Sequence, residues 1–265
     1  MVMPRLQVIG GGKMGEALLA GLVAGGWAPA DELRVVERLA SRSAELADRF
    51  PGVAIADTVG PADGHVLAVK PGDVEAACRA VADTGGGAPV LSIAAGVTVE
   101  RLEASLAPGT AVVRAMPNTP ALVGEGAAAV AAGTSAGEDD LAWAERILGA
   151  VGTVVRVDES LLDAVTGLSG SGPAYVFLVV EAMIEGGVLA GLPRNVAATL
   201  ATQTLLGAAR LLDESAEGPE ALRAAVTSPG GTTAAGLRAL ESHAVRAAFL
   251  DAITAATERS RELGS

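Results

Sequence analysis

The chain is expected to fold as an α/β protein, with a doubly wound sheet in an N-terminal domain and an all-helical C-terminal domain that serves dimerisation. Three observations predict this. A G-x-G-x-x-G array directly follows the first apolar run. Short apolar runs then alternate with helical stretches as far as Val157, the pattern of a parallel sheet wound by crossover helices. Beyond Val157 no strand-like run follows. The boundary is placed at 160/161, giving a dinucleotide-binding domain over 1–160 and a helical domain over 161–265, with Asp158–Asp163 as the junction.

Arg5–Ile9 reads as a short apolar strand, followed by a glycine turn, a helical run over Met14–Val23 and a second strand over Leu33–Glu37, which makes a β-α-β opening. Further strands are predicted at Val53–Ala56, His65–Val69, Val90–Ile93, Ala111–Ala115, Ala127–Ala131 and Val154–Val157. Helices are predicted near Val74–Ala82, Val99–Leu106 and Asp139–Val151. The second half reads as helices over Leu161–Thr166, Ala174–Leu189, Arg194–Leu212, Pro219–Val226 and Ala234–Arg261. Ala and Gly lie on several faces of these helices, so some have more than one packing partner. A helical half this apolar points to an interface with a second copy.

Half of the 265 residues are hydrophobic and 2% aromatic, so the core must be built from Ala, Val, Leu and Ile. The net charge of −12 and the absence of a Lys/Arg cluster argue against nucleic acid and acidic membranes as partners. Cys78 is the only cysteine, which excludes an internal disulfide framework and a Cys-rich metal site. No basic segment leads into an apolar stretch at the N-terminus, and a cytoplasmic location is expected. The most apolar helix, Tyr175–Leu192, contains Glu181, Glu185 and a Gly pair, so it reads as buried or interfacial and not as a membrane span.

Gly10, Gly12 and Gly15 form the glycine array between a strand and a helix, where glycines permit a tight turn and a pyrophosphate can approach the free N–H groups of the helix start. Glu37 ends the second strand, where a carboxylate accepts from a ribose 2′-hydroxyl and favours NAD. Arg38 beside it can instead pair with the 2′-phosphate of NADP, and this pair leaves NADPH or NADH open. The only two lysines, Lys13 and Lys70, both fall in loops expected at the carboxyl edge of the sheet, where Pro71 turns the chain toward the crevice, or Lys70 only belongs to a plain strand-ending turn. In RAMPNTPA, Asn118 offers a donor and an acceptor that complement a nicotinamide carboxamide, or it is a local turn partner between two prolines. TSPGGTTAAGL ends in a helix start whose N–H groups and hydroxyls can hold a carboxylate, unless Thr232 or Thr233 only caps the helix. There is no G-x-S-x-G elbow and no H-E-x-x-H; His65 and His243 read as structural or surface residues, and no metal site is expected.

Taken in order, IGGGKMG, LAVKPGDV, LSIAAGV, RAMPNTPA, LSGSGPAYVF and VTSPGGTTAAGL closely resemble the pyrroline-5-carboxylate reductase family over essentially the whole chain. The resemblance implies a Rossmann-type domain, a helical domain interlocked with a second protomer, NADPH or NADH as cofactor, and reduction of pyrroline-5-carboxylate to L-proline. It further implies that Gly10, Gly12, Met14 and Gly15, with Lys13 among them, hold the pyrophosphate. Val69, Lys70, Pro71 and Ala95 would line the nicotinamide end, with Asn118 nearby. Ser228, Gly230, Gly231 and Thr232 would hold the substrate carboxylate, and the Thr233 hydroxyl would face the ring nitrogen as proton donor or imine contact. Hydride transfer to a protonated imine asks mainly for orientation of two rings and one proton, from Thr233 or water. A related β-hydroxyacid reductase would need a lysine in the helical half, and none exists there. A non-catalytic dinucleotide-binding protein would have no use for the SPGGTT loop.

Overall fold

In the computed structural model, which describes residues 3–264, all eight predicted strands form. The first unit runs β1 (Leu6–Ile9), α1 (Lys13–Ala24), β2 (Leu33–Val36), α2 (Ala40–Arg49), β3 (Ala54–Ala56), β4 (His65–Leu67), α3 (Val74–Ala82), β5 (Val90–Ser92), α4 (Val99–Glu103), β6 (Val112–Met116), β7 (Gly126–Ala132), α5 (Glu138–Leu148) and β8 (Gly152–Arg156). The strands join one sheet in the order β3-β2-β1-β4-β5-β6-β7-β8. The order reverses between β1 and β4, and a crevice opens there beyond the carboxyl ends of the strands.

The sheet is not wholly parallel, as the strand–helix alternation had implied. β7 pairs antiparallel with β6, and β8 runs parallel to β7. The cause is the connection: only the short turn over Thr119–Val123 lies between β6 and β7, too little for a crossover. α2 is an element the sequence reading did not place; Leu46 is its one buried residue.

Alternation along β1 sends its side chains into two apolar layers. Leu6 and Val8 meet Leu18, Leu19 and Leu22 of α1, whereas Ile9 meets Leu67, Val74, Cys78 and Leu102 on the other face. The three α1 leucines are 0% exposed, so each contributes about 2 kcal/mol of burial, and Leu19→Ala would cost about 3 kcal/mol. Gln7, between these positions, is buried but satisfied, since its amide bonds to both N–H and C=O of Gly60.

The remaining helices are α6 (Leu162–Val165), α7 (Gly172–Leu189), α8 (Arg194–Glu214), α9 (Pro219–Ala225), α10 (Thr232–Ser242) and α11 (Val245–Gly264). The chain divides into two compact units, one reaching Ser171 and including the C-terminal turns from Thr254, the other spanning Gly172–Ile253. The division thus falls beyond the expected junction at 158–163. In the first unit, Ser260 donates to Asp163 Oδ1 at 2.6 Å and ties the end of α11 to α6.

In the second unit α7 and α8 form a helical hairpin whose close approach rests on Gly187, where a Cβ would lie 3.0 Å from the Cβ of Ala197. α7 has no buried residue, and Phe177, Leu178 and Leu189 are exposed. The helical run Glu159–Leu189 is long and apolar enough, by length and composition, to cross a membrane. The helix expected over Ala234–Arg261 is two helices, broken at Ala244, whose φ of 54° ends one and starts the next.

Candidate active site

Each glycine of the loop between β1 and α1 has its own physical reason. Gly10 has φ +107°, and a Cβ there would lie 2.5 Å from the Ala68 carbonyl oxygen, so only glycine lets the end of β1 sit against the end of β4. A Cβ on Gly15 would collide with the Gly10 carbonyl, so its absence lets α1 start against the strand. Gly12, the N-cap of α1, is exposed and a Cβ there would meet nothing within 4 Å. The first N–H groups of α1 therefore open onto a cradle that a pyrophosphate fits, with the positive end of the helix beneath it.

Glu37 extends from the end of β2 to this loop. Its Oε2 accepts from Gly11 N at 3.1 Å and its Oε1 from Leu39 N at 2.9 Å. On the other side of the same glycine, Arg42 Nε donates to Gly11 O at 2.8 Å. Arg42 also pairs with Glu16 and, at 2.8 Å, with Glu45; the hydrogen bonds it donates to Glu45 and then to Glu16 raise its pKa and keep the guanidinium charged. Gly11 and Arg42 had escaped the sequence reading. Arg38 points outward, with its side chain 78% exposed and Nη2 3.8 Å from Asp73 Oδ1.

A cavity of about 790 Å³ is lined by Gly10, Gly12, Glu37, Arg38, Val69 and Lys70, among others. The structure therefore brings these six predicted residues together. Lys70 caps the turn that Pro71 begins, and Asp73 N donates back to Lys70 O at 2.9 Å. Lys13 and Met14 lie in the first turn of α1. Ala95 is exposed just after β5, beside Gly96 with φ +72°.

Asn118 is buried, and its amide serves the protein: Oδ1 accepts from Ala127 N at 2.8 Å and Nδ2 donates to Ser169 O at 3.0 Å. It is thus no local turn partner. One N–H and one lone pair of the amide remain for a ligand.

In the second unit, Ser228–Gly231 form a tight turn in which Gly231 N donates to Ser228 O at 3.0 Å and Gly230 has φ +69°. Gly231 is the N-cap of α10 and no side chain caps the helix. Thr232 and Thr233 are therefore not capping residues, and their first-turn N–H groups and hydroxyls are left available to an anion.

Neither the buried His65 nor Cys78 belongs to these clusters. Burial lowers the His65 pKa to about 4 and pushes the Cys78 thiol up to about 11. His243 Nδ1 lies 2.9 Å from Ala239 O. Among the described residues no group of three His, Cys, Asp or Glu side chains is placed to hold a metal.

A doubly wound sheet with a glycine cradle at its switch point and an acidic residue ending the second strand defines a dinucleotide-dependent oxidoreductase. Comparison with known proteins narrows the class. Residues 5–96 match the family of NADP oxidoreductases described as coenzyme F420-dependent, and residues 159–263 match the pyrroline-5-carboxylate reductase dimerisation family. The chain is 47% identical to the pyrroline-5-carboxylate reductase of Synechocystis sp., covering 98% of each, and 42% identical to that of Arabidopsis thaliana, covering 98% of this chain and 95% of the relative. The solved pyrroline-5-carboxylate reductase of Coxiella burnetii superposes with a TM-score of 0.93 at 37% identity, covering 100% of both chains. The pyrroline carboxylate reductase of Plasmodium falciparum, solved with NADP bound, superposes at 0.86 and 28% identity, again covering 100% of both. The chain belongs to the pyrroline-5-carboxylate reductase family of NAD(P)H-dependent oxidoreductases.

Proposed function

We propose that this chain reduces L-1-pyrroline-5-carboxylate to L-proline, the last step of proline biosynthesis, with Thr233 facing the imine nitrogen. The observation that carries this reading is the turn at Ser228–Thr233, where a helix start lacks any side-chain cap. Such a turn suits a carboxylate: backbone N–H groups bind it while both threonine hydroxyls stay available.

The cofactor, when bound, supplies a hydride from C4 of its nicotinamide to the imine carbon. Gly10, Gly12, Lys13, Met14 and Gly15 would hold its pyrophosphate and Glu37 and Arg38 its adenine-side ribose. Val69, Lys70, Pro71, Ala95 and Asn118 would border the nicotinamide. Ser228, Gly230, Gly231 and Thr232 would hold the substrate carboxylate, and the Thr233 hydroxyl would deliver the proton that balances the hydride at the ring nitrogen. Lys70 acts by position, since the imine needs no nucleophile.

The exposed apolar face of α7 and the match of residues 159–263 to a dimerisation family support a dimer formed through the helical half. The enzyme is read as cytoplasmic, and its net charge of −12 supports one that binds neither nucleic acid nor an acidic membrane. The test is the rate of reduced-nicotinamide oxidation with pyrroline-5-carboxylate for the wild type and Thr233→Ala. Turnover by the wild type and a loss of about 100-fold in the variant are expected. A fully active variant would remove Thr233 from the mechanism, and an inert wild type would overturn the assignment.

A further inference from the structure

We infer that Glu37 makes this chain select the dinucleotide without a 2′-phosphate, NADH over NADPH; the inference rests on the cavity being the dinucleotide site. The carboxylate is not a loose surface group. Both of its oxygens are held by backbone amides, Oε2 by Gly11 at 3.1 Å and Oε1 by Leu39 at 2.9 Å, and it lines the cavity at the end of β2. With the pyrophosphate on the start of α1, this strand end is where the adenine-side ribose falls. Each carboxylate oxygen keeps an acceptor position, enough to take both ribose hydroxyls.

A 2′-phosphate at that place would bring close to two negative charges against Glu37. The side chain cannot turn aside without breaking both hydrogen bonds that it accepts from backbone N–H groups. One of those amides belongs to the glycine loop, so moving Glu37 also disturbs the pyrophosphate cradle. Few cations are placed to compensate: Arg38 points outward, its side chain 78% exposed and 3.8 Å from Asp73, and Arg42 is tied to Glu16, Glu45 and Gly11 O. Asp57 and Asp83 add further negative charge to the cavity wall. Lys70 sits past the end of β4, on the side assigned to the nicotinamide.

The test is calorimetric titration of the full chain with NADH and with NADPH, without imine, followed by the same titrations of Glu37→Gln and Arg38→Ala. The wild type should bind NADH at least about tenfold more tightly, because like charges placed together cost heavily. Glu37→Gln removes the charge and keeps an acceptor. It should weaken NADH, strengthen NADPH and shrink the ratio about tenfold, while Arg38→Ala leaves the preference for NADH in place. Equal or tighter binding of NADPH by the wild type would overturn the inference. So would a Glu37→Gln change of equal factor for both dinucleotides, which would make Glu37 only a support of the loop. Binding of neither dinucleotide would instead overturn the reductase reading itself, and the selectivity with it.

Discussion

Arg114, buried in the middle of β6, is paired with Glu159 at 2.8 Å, and the same carboxylate oxygen accepts Val99 N at 2.7 Å. One carboxylate therefore neutralises a buried guanidinium and supplies the acceptor for the start of α4. Replacing Glu159 with Ala strands the guanidinium inside the sheet. The expected loss is about 3 kcal/mol, at the low end for a buried pair because the Glu159 side chain is 33% exposed. Chemical denaturation measures it, and the double variant Arg114→Met/Glu159→Leu should recover most of the loss.

The glycine loop separates folding from ligand binding. Gly10→Ala meets the Ala68 carbonyl at 2.5 Å with φ +107°, so it should lower stability by about 2 kcal/mol or more. Gly12→Ala meets nothing within 4 Å. It should melt with the wild type yet bind either dinucleotide at least about tenfold more weakly, as its methyl group occupies the cradle. Thermal melts with and without NADH distinguish the two.

His65 makes stability depend on pH with a defined sign. Its Nδ1 is buried and has no hydrogen-bond partner among the described residues, and its pKa falls from 6.5 to about 4. Between those values the unfolded chain takes up a proton that the folded chain refuses. Stability is therefore unaffected above pH 6.5, declines as pH falls through the window, and has lost up to about 3 kcal/mol near pH 4. Urea denaturation at several pH values should show this slope, and His65→Leu should remove its share of it.

Self-association is expected to run through the helical half. Phe177 and Leu178 are 62% and 66% exposed on α7. Changing both to Glu should give a monomer by sedimentation with the first unit still folded, whereas an unchanged oligomer would move the interface elsewhere.

Most of the sheet was legible because its strands are short apolar runs bounded by Gly, Pro or Asp. α2 was not, since one buried leucine in ten residues leaves almost no apolar period. The reversal at β7 was overlooked because the strand–helix alternation before it set the expectation of a parallel sheet, although the segment 117–125 is shorter than a crossover needs. The break at Ala244 lacks the Gly or Pro that would have marked it. In the site, the glycine array and Glu37 follow from motif spacing. The clamp of Glu37 and Arg42 on Gly11 joins residues 26 and 31 positions apart, for which no local pattern exists. Asn118 was found for its amide, but its partners Ala127 and Ser169 are fixed by tertiary packing alone.

Cys78 lies on the buried face of α3 at 0% exposure with its thiol pushed up to about 11. Thiolate is the reactive form, so the native chain should ignore alkylating reagents and mild oxidants at neutral pH. As the chain's sole sulfhydryl, it becomes a built-in clock: the rate at which a thiol probe labels it reports how often α3 lifts from the sheet, with no engineered tag and no competing signal.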